Sequence, residues 1–396
     1  MKYRKFGKLD WKPSALGFGC MRLPQTDQDM AHVDEAEAIR MIRYAIDHGV
    51  NYLDTAAVYH MGNSERVVGK ALKDGYRRKV KLATKLTLFA LKSGDEFDRF
   101  FNNQLERLQT DKIDFYLLHG LNRQLWKFVQ EWKAIRWVEG KIAAGQIGYL
   151  GFSFHDEYDV FKEIVDAYDN WTFCQLQYNY MDVKNQAGRR GLEYAAGKNL
   201  AVVVMEPIRG GLLAKKPPAL VAKVWQTSSI DRSPAEWALQ WVWKHPEVSV
   251  VLSGMSTMQQ VKENLAAAER SGPGKLSKGE LSFIGKVRKA YLGSSPVPCT
   301  KCGYCLPCPN GVETPTIFEM FNEATMYDDF TRAQFRYMGA GPDSLREDQR
   351  ADKCQECKEC VEKCPQHIPV PDWLKKAHEK LFVKDFKPPP PPQPPE

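Results

Sequence analysis

Eight cysteines lie in two short runs near the C-terminal end of this sequence. The first run reads PCTKCGYCLPCPNG and the second reads KCQECKECVEKCPQ. Their thiols belong to Cys299, Cys302, Cys305, Cys308, Cys354, Cys357, Cys360 and Cys364. Thiols stay reduced in a chain that remains in the cytosol, so clustered thiols are typical of metal ligands rather than of disulfides. The remaining cysteines, Cys20 and Cys174, stand alone and are expected to be small buried residues.

The spacing within the two runs predicts two 4Fe-4S clusters. The pattern C-x2-C-x2-C-x3-C followed by proline is the spacing of bacterial two-cluster ferredoxins. The second run matches it through Pro365, whereas the first run is one residue short before Cys308. In two-cluster ferredoxins the fourth cysteine of each run serves the other cluster. The resulting cross-paired ligand sets are Cys299, Cys302 and Cys305 with Cys364, and Cys354, Cys357 and Cys360 with Cys308.

Two other interpretations of the cysteines remain open. Structural zinc sites usually have CxxC pairs separated by a dozen or more residues, and overlapping cysteine triplets are unusual for them. Alternatively, the clusters only stabilise a small domain, because metal–ligand bonds readily hold small folds together.

Four polar residues of complementary chemistry follow apolar segments in the first third of the chain. They are Asp54 and Tyr59 in DTAAVYHMG, Lys85 in ATK and His119 in LLHG. A tyrosine has an ordinary pKa of about 10, which is too high for ready proton donation at neutral pH. We expect Lys85 to lower the pKa of Tyr59, and Asp54 to hold Lys85 charged and in place. Tyr59 would then protonate a carbonyl oxygen as a hydride reaches the carbon, while His119 orients that oxygen.

Eight apolar segments are the predicted strands that position these residues. They begin near Ala15, Val50, Val80, Ile113, Ile147, Phe173, Ala201 and Val248. Continuous apolar runs are typical of parallel strands covered by helices, and eight strand–helix units predict an α/β fold, a (β/α)8 TIM barrel. Because barrel active sites lie at the carboxyl ends of the strands, the four polar residues should converge there. A doubly wound open sheet is the alternative, but GFGCMR lacks the third glycine of a GxGxxG turn.

Capping residues predict the ends of three helices. The helix in DEAEAIRMIRYAIDHG should end at Gly49. The helix in NSERVVGKALKDG should begin at a capping Asn63 or Ser64 and end at Gly75. The helix in SPAEWALQWVWKHP should have Ser233 as its N-cap, with proline in its first turn.

The sequence resembles the aldo/keto reductases over roughly residues 1–290. The similar segments are DTAAVYHMGNSE, ATK, LLHG, GFSFH, CQLQYN and SGMSTMQQVKENL. The resemblance implies that Asp54, Tyr59, Lys85 and His119 are a catalytic tetrad, and that NAD(P)H lies across the barrel mouth. The further cofactor contacts that it implies are Ser153 and Gln175 at the nicotinamide carboxamide, Gly210 and Gly211 near the pyrophosphate, and Glu263 and Asn264 facing the adenine.

The chain departs from the family pattern in two places. The family often stacks an aromatic residue on the nicotinamide at the end of strand seven, where this chain has Met205. Members that prefer NADPH use a lysine or arginine for the 2′-phosphate, but GMSTMQQ contains no cation, which favours NADH over NADPH. The departures also leave room for a flavin. Arg22 and Arg209 would bind a carboxylate substrate or a cofactor phosphate, or else are ordinary surface arginines.

Length and composition set the domain organisation and exclude some classes of function. The 396 residues are expected to form a barrel over 1–290, a small, mainly helical ferredoxin-type domain over 296–380 and a disordered proline-rich tail over 386–396. The net charge of +7 comes from scattered lysines and arginines, so nucleic-acid binding is not expected. No apolar stretch approaches the ~20 residues of a membrane helix, and the N-terminus lacks a secretory signal. We therefore expect a cytoplasmic protein.

These observations predict an oxidoreductase that interconverts a small carbonyl compound and its alcohol. Hydride transfer moves two electrons and a 4Fe-4S cluster moves one, so the clusters are expected to exchange electrons with a redox partner, a ferredoxin or a flavoprotein. Two alternatives stay open. One is an ordinary NAD(H)-dependent carbonyl reductase with purely structural clusters, and the other is an electron-transfer module whose barrel is catalytically silent.

Overall fold

The computed structural model describes residues 1–27, 29, 31–341 and 344–387. The proline-rich tail predicted for 386–396 lies outside the described residues from position 388 onward. Within the described chain, eight parallel strands close into one barrel in the order β1 to β8. The strands are β1 Leu16–Gly19, β2 Tyr52–Asp54, β3 Lys81–Leu86, β4 Ile113–Leu121, β5 Ile147–Phe154, β6 Phe173–Gln177, β7 Ala201–Met205 and β8 Val248–Gly254. The predicted TIM barrel is confirmed.

The barrel closes because β1 pairs with both β2 and β8. Phe18 lies opposite Leu53 on one side and Ser253 on the other. At the next residue, Gly19 lies opposite Asp54 and Gly254. This register brings the carboxyl ends of the first, second and last strands to one mouth.

Fifteen α-helices lie in the described chain. They are α1 Glu35–Asp47, α2 Asn63–Ala71, α3 Phe97–Leu108, α4 Arg123–Glu131, α5 Ala134–Ala143, α6 Tyr158–Asp166, α7 Gly188–Gly197, α8 Ala219–Trp225, α9 Pro234–Trp243, α10 Met258–Glu269, α11 Lys278–Gly293, α12 Thr314–Tyr327, α13 Thr331–Tyr337, α14 Glu359–Glu362 and α15 Val370–Leu381. None of these helices has both the length and the apolar character needed to cross a membrane.

Two of the three capping predictions are confirmed. Helix α1 ends two residues before Gly49, which has φ +94°, and the Ser233 hydroxyl caps α9 by accepting from the backbone N–H of Glu236. Helix α2 begins at Asn63, as predicted, but its N-cap is Gly62 rather than Asn63 or Ser64. The predicted end at Gly75 is wrong, because the last residue of α2 is Ala71. The side chain of Ser64 does not cap α2, because its hydroxyl donates to the carbonyl oxygen of Cys20 and so ties the helix to the barrel mouth.

The N-terminal segment closes the amino end of the barrel. Phe6 is fully buried, with its ring centroid 6.2, 4.9 and 5.7 Å from those of Tyr52, Phe115 and Phe173. Tyr52 and Phe173 are the first residues of β2 and β6. The next residue, Gly7, has φ +53°, and a Cβ there would lie 2.6 Å from the backbone nitrogen of Ala201. Glycine is needed at position 7 because the N-terminal segment approaches the strand backbone closely there.

The described chain divides into two compact units. The barrel unit comprises Met1–Ala214 and Arg232–Leu281. The second unit comprises Lys215–Asp231, which contains α8, and the chain from Ser282 onward. Its helices pack around a core that includes Ile317, Phe318 and Leu374, and five of the clustered cysteines lie against that core. The expected mainly helical C-terminal region is confirmed.

Candidate active site and cysteine clusters

Lys85 lies at the centre of the barrel mouth. It is near the end of β3 and is 1% exposed. Its Nζ donates to Asp54 Oδ1 at 2.6 Å, to the backbone oxygen of Thr55 at 2.7 Å and to the hydroxyl oxygen of Tyr59 at 3.2 Å. An ammonium has three N–H donors, so these contacts use all of them and fix the position of the charge.

Tyr59 and His119 complete the cluster of four polar residues. Tyr59 follows β2, and its ring lies edge-on to the ring of His119 in β4, with centroids 6.1 Å apart. His119 Nδ1 is 3.0 Å from Thr87 Oγ1. The Thr87 contact occupies one ring nitrogen and leaves Nε2 to interact with a ligand. The structure therefore brings together Asp54, Tyr59, Lys85 and His119, as the sequence predicts.

The electrostatics of this cluster differ from the expectation at Tyr59. Burial raises the pKa of Tyr59, and Asp54 adds to the shift, while Lys85 lowers the pKa only in part. The predicted net lowering is therefore wrong, because desolvation of the phenolate outweighs attraction to one ammonium. Burial opposes the charge of Lys85, but Asp54 and Tyr59 together raise its pKa above the ordinary value. Tyr59 thus keeps its proton next to a charged lysine.

His119 stays neutral in the same environment. Burial lowers its pKa well below 6.5, and the positive charge of Lys85 lowers it further. A neutral imidazole has one N–H donor and one acceptor. His119 can therefore orient a ligand oxygen by a hydrogen bond without adding a second positive charge to the site.

A buried polar network behind β3 supports Lys85 and was not predicted from the sequence. Gln104 Nε2, from α3, donates to the backbone oxygen of Lys85 at 3.0 Å and to Glu65 Oε1 at 2.9 Å. Glu65, in α2, also accepts from Thr84 Oγ1 at 2.6 Å and from Arg107 Nε at 2.8 Å. The sequence signal that could have indicated this network was Glu65 within NSE, because it is a charged residue on the buried face of α2.

Ser153 and Gln175, the predicted carboxamide contacts, lie on neighbouring strands of the mouth. Ser153 Oγ, in β5, accepts from the backbone N–H of Gly120 at 2.7 Å. Gln175 Nε2, in β6, lies 3.5 Å from Asp54 Oδ2, whereas its buried Oε1 has no hydrogen-bond partner among the described residues. A buried acceptor without a partner costs free energy. Gln175 therefore fits a ligand that brings an N–H donor, such as a carboxamide.

The loop after β7 contains the other predicted contacts. Met205 is the last residue of that strand. Arg209 Nε donates to Asp182 Oδ2 at 2.9 Å, and Gly210 and Gly211 follow with φ of +65° and +100°. Asp182 was not predicted from the sequence, since nothing in its local pattern indicates that it pairs with a residue of the next loop.

Glu263 and Asn264, the predicted adenine contacts, lie in α10 and differ in exposure. Asn264 is 8% exposed and its Nδ2 donates to Ser253 Oγ in β8 at 3.0 Å. Glu263 is exposed and its Oε1 accepts from Gln259 Nε2 at 2.9 Å. Asn264 therefore ties α10 to the barrel, while Glu263 lies at the surface.

The thiols of the two cysteine runs influence one another across the runs. Burial raises the pKa of Cys299, and the nearby thiols of Cys302 and Cys364 raise it further. Burial raises the pKa of Cys305 to about 11, and the nearby thiols of Cys299, Cys360 and Cys302 add to the shift. Cys364 and Cys360 of the second run therefore both lie within electrostatic reach of the first run.

A cysteine of the first run likewise influences the second run. Burial raises the pKa of Cys360, and Cys354, Cys357 and Cys308 raise it further. A small pocket is lined by all four of these cysteines, together with Cys305 and nearby prolines. Neighbouring thiolates repel one another, and a metal centre that coordinates them removes this penalty and keeps them deprotonated. The residues present therefore fit a cluster, although which cysteines share one stays a prediction.

No group of three or more His, Cys, Asp or Glu side chains within the described residues is arranged to hold a single metal ion. Cys20 and Cys174 are free and fully buried, as predicted.

Comparison with known proteins assigns both parts of the chain. The model of the aldo/keto reductase family matches residues 15–273, well over half of the sequence. This chain belongs to the aldo/keto reductase family. Residues 298–369 match the model of a 4Fe-4S dicluster domain. The chain is thus an aldo/keto reductase with a C-terminal 4Fe-4S domain, and it is an oxidoreductase.

Relatives of this aldo/keto reductase align along nearly their whole length. Methylglyoxal reductase YeaE of Escherichia coli is 29% identical over 297 residues, covering 70% of this chain and 95% of that protein. The holo structure of aldo-keto reductase AKR11C1 from Bacillus halodurans is 31% identical with a TM-score of 0.60, covering 73% of this chain and 97% of its own. An aldo-keto reductase from Klebsiella pneumoniae, solved in complex with NADPH, is 23% identical with a TM-score of 0.56, and the match covers 72% of this chain and 95% of that chain.

The pKa of His119 predicts its protonation state. Because its folded-state pKa lies well below 6.5, His119 should remain neutral as the pH falls through 6.5. The unfolded chain takes up that proton first, so this residue makes folding less favourable as the pH drops below 6.5. Side-chain 15N NMR, assigned by loss of one signal in His119→Gln, should show this. His32, whose pKa is raised first by its hydrogen bond to Asp27, is the internal control. A His119 midpoint at or above that of His32 would contradict the assignment.

Paired cysteine substitutions test the cross-paired arrangement. Cys302→Ala with Cys364→Ala removes two ligands of one predicted cluster, so about four irons per chain should remain. Cys302→Ala with Cys308→Ala is the matched control and removes one ligand from each predicted cluster, so iron should fall towards zero. Iron and sulfide analysis of anaerobically purified protein measures both. The reverse pattern would mean that each run holds its own cluster.

Proposed function

We propose that the barrel interconverts a small carbonyl compound and its alcohol, with Tyr59 as the acid and base. The observation that carries this proposal is the Lys85 ammonium, which bridges Asp54 at 2.6 Å and Tyr59 at 3.2 Å. A positioned phenol beside a fixed positive charge is suited to protonate an oxygen on which negative charge develops. The 29% identical relative from Escherichia coli is named a methylglyoxal reductase, which supports a small carbonyl substrate here.

The four residues have separate roles in this proposal. Tyr59 holds its proton in the resting site, because burial raises its pKa. Negative charge left on the Tyr59 oxygen after proton transfer is stabilised by Lys85, which Asp54 keeps charged. His119, neutral and fixed through Nδ1 by Thr87, orients the substrate oxygen. In the oxidation direction Tyr59 accepts the proton instead.

A nicotinamide cofactor is the proposed hydride carrier, and it would supply or accept the hydride at the substrate carbon. The residues that would hold it are Ser153 and the unpartnered oxygen of Gln175, with Met205, Gly210 and Asn264 around the remainder of the mouth. NADH is favoured over NADPH because residues 254–260 contain no cation for a 2′-phosphate. NADPH is the cofactor in the Klebsiella pneumoniae structure, so both dinucleotides belong in the assay.

The 4Fe-4S domain is proposed to exchange electrons with a redox partner, a ferredoxin or a flavoprotein. The middle cysteine of each triplet, Cys302 and Cys357, is exposed, whereas the other six ligands are partly buried. A cluster held partly by these exposed cysteines would be able to exchange single electrons with a partner at the surface. A hydride carries two electrons, and a flavin in the barrel or on the partner would divide the pair.

Replacing Tyr59 tests the proposed acid. Tyr59→Phe removes the hydroxyl and keeps the ring, so kcat for carbonyl reduction should fall by about 10²- to 10⁴-fold, while dinucleotide binding changes little. Steady-state kinetics with methylglyoxal and NADH, and fluorescence titration of NADH, measure the two effects. Tyr149→Phe is the matched control, because Tyr149 stacks on Phe115 away from the mouth, and its kcat should stay near that of the wild type. Undiminished turnover in Tyr59→Phe would show that the tetrad assignment is wrong.

Loss of both clusters separates an electron-transfer role from a structural one. Cys302→Ala with Cys354→Ala removes one ligand from each cluster under either pairing. If the clusters carry electrons, this variant should lose reduction of added ferredoxin and keep most of its NADH-dependent carbonyl reduction. Circular dichroism and gel filtration verify that it is folded. A wild-type protein with full iron content that reduces carbonyls but passes no electrons to ferredoxin or a flavoprotein would indicate structural clusters.

A further inference from the structure

Arg22 follows β1 at the barrel mouth and lies in a groove formed by two glycines. A Cβ on Gly254, the last residue of β8, would lie 3.3 Å from Cβ, Cγ and Cδ of Arg22. A Cβ on Gly210 would lie 3.1 Å from Arg22 Nη2. The stem of Arg22 therefore lies over Gly254, and its guanidinium reaches the loop after β7. Larger side chains at either glycine would crowd Arg22 out of this position.

The backbone around Arg22 is anchored on both sides. The carbonyl oxygen of Arg22 accepts from Ser256 Oγ at 2.8 Å. The next backbone N–H, that of Leu23, donates to His60 Nε2 at 3.1 Å. His60 is 2% exposed and directly follows Tyr59. Two hydrogen bonds therefore fix Arg22 relative to β8 and to the loop that contains Tyr59.

The charge of Arg22 has no acidic partner among the described residues. The exposed guanidinium forms no salt bridge or side-chain hydrogen bond there, although the nearby Arg209 is paired. Arg209, one residue before Gly210, is held by Asp182 through Nε at 2.9 Å. Arg22 is thus a positioned cation, next to a glycine pair in the left-handed region, and its donors are not committed to any group in the part of the chain that the structure describes.

We propose that Arg22 binds an oxyanion of the ligand in the barrel mouth. This inference rests on the proposed function, since it assigns a contact to the same site. A guanidinium presents a planar fork of N–H donors that matches phosphate and carboxylate oxygens. The oxyanion is either a phosphate of the dinucleotide or a carboxylate of the substrate, and both present the same chemistry to Arg22.

The test compares Arg22→Gln and Arg22→Lys with Arg136→Gln, a control at an exposed arginine in α5. Fluorescence titration gives the Kd for NADH and for NADPH. Steady-state kinetics give kcat/KM for methylglyoxal, which is neutral, and for pyruvate, which replaces its aldehyde with a carboxylate. A lost charge-assisted hydrogen bond weakens binding by about tenfold or more. Arg22→Lys keeps the charge but not the fork, so it should give an intermediate effect.

Each outcome assigns or overturns the contact. A rise of tenfold or more in the Kd of Arg22→Gln for a dinucleotide identifies a phosphate. An unchanged Kd with a tenfold loss in kcat/KM for pyruvate relative to methylglyoxal identifies a carboxylate. If all values stay within twofold of the Arg136→Gln control while Tyr59→Phe is inactive, the Arg22 contact is wrong and the proposed function stands. If the wild-type protein binds neither dinucleotide and reduces neither compound, the proposed function fails and the Arg22 contact with it.

Discussion

The buried ion pair between Lys85 and Asp54 is the interaction on which the barrel mouth depends. Both side chains are almost fully excluded from solvent, and removing one member of such a pair typically costs about 3–5 kcal/mol, because the other charge is left uncompensated. The pair persists because every donor of the ammonium is used, by Asp54, by the Thr55 carbonyl and by Tyr59. This arrangement also gives the site its chemistry, because the third acceptor of the Lys85 ammonium is the hydroxyl of Tyr59, which we propose as the acid.

Two features of the fold maintain this arrangement. Gln104 holds the backbone of Lys85 and is held in turn by Glu65 and by the hydroxyl of Tyr116, so helices α2 and α3 and strand β4 all resist displacement of the lysine. At the other end of the barrel, Phe6 fills the space between the first residues of the strands. Apolar side chains therefore fill the amino end of the barrel, whereas the polar residues of the candidate site lie at the other end, the mouth.

The sequence predicted the elements better than their environments. All eight strands begin within two residues of their predicted positions, because long apolar runs bounded by turns are a local signal. The cap of α2 was mispredicted because Ser64 is used for a contact with Cys20, 44 residues earlier in the chain. The pKa of Tyr59 was mispredicted because the spacing shows which charges come near but not how much water is excluded. Asp182 and the Gln104 network were missed because each joins residues from separate loops or helices, as the contact of Ser64 with Cys20 does.

We propose that hydride transfer to a carbonyl carbon takes place at the Tyr59 site and that the clusters are a separate one-electron system. Transfer of an isotope label from NADH to the product tests this proposal. Anaerobically purified protein is incubated with methylglyoxal and NADH carrying deuterium at both C4 positions, and the product alcohol is analysed by mass spectrometry. We expect one deuterium on the carbinol carbon in the wild-type product, and almost no product from Tyr59→Phe. An alcohol without deuterium, formed while NADH is consumed, would show that the electrons reached the substrate by a route other than direct hydride transfer.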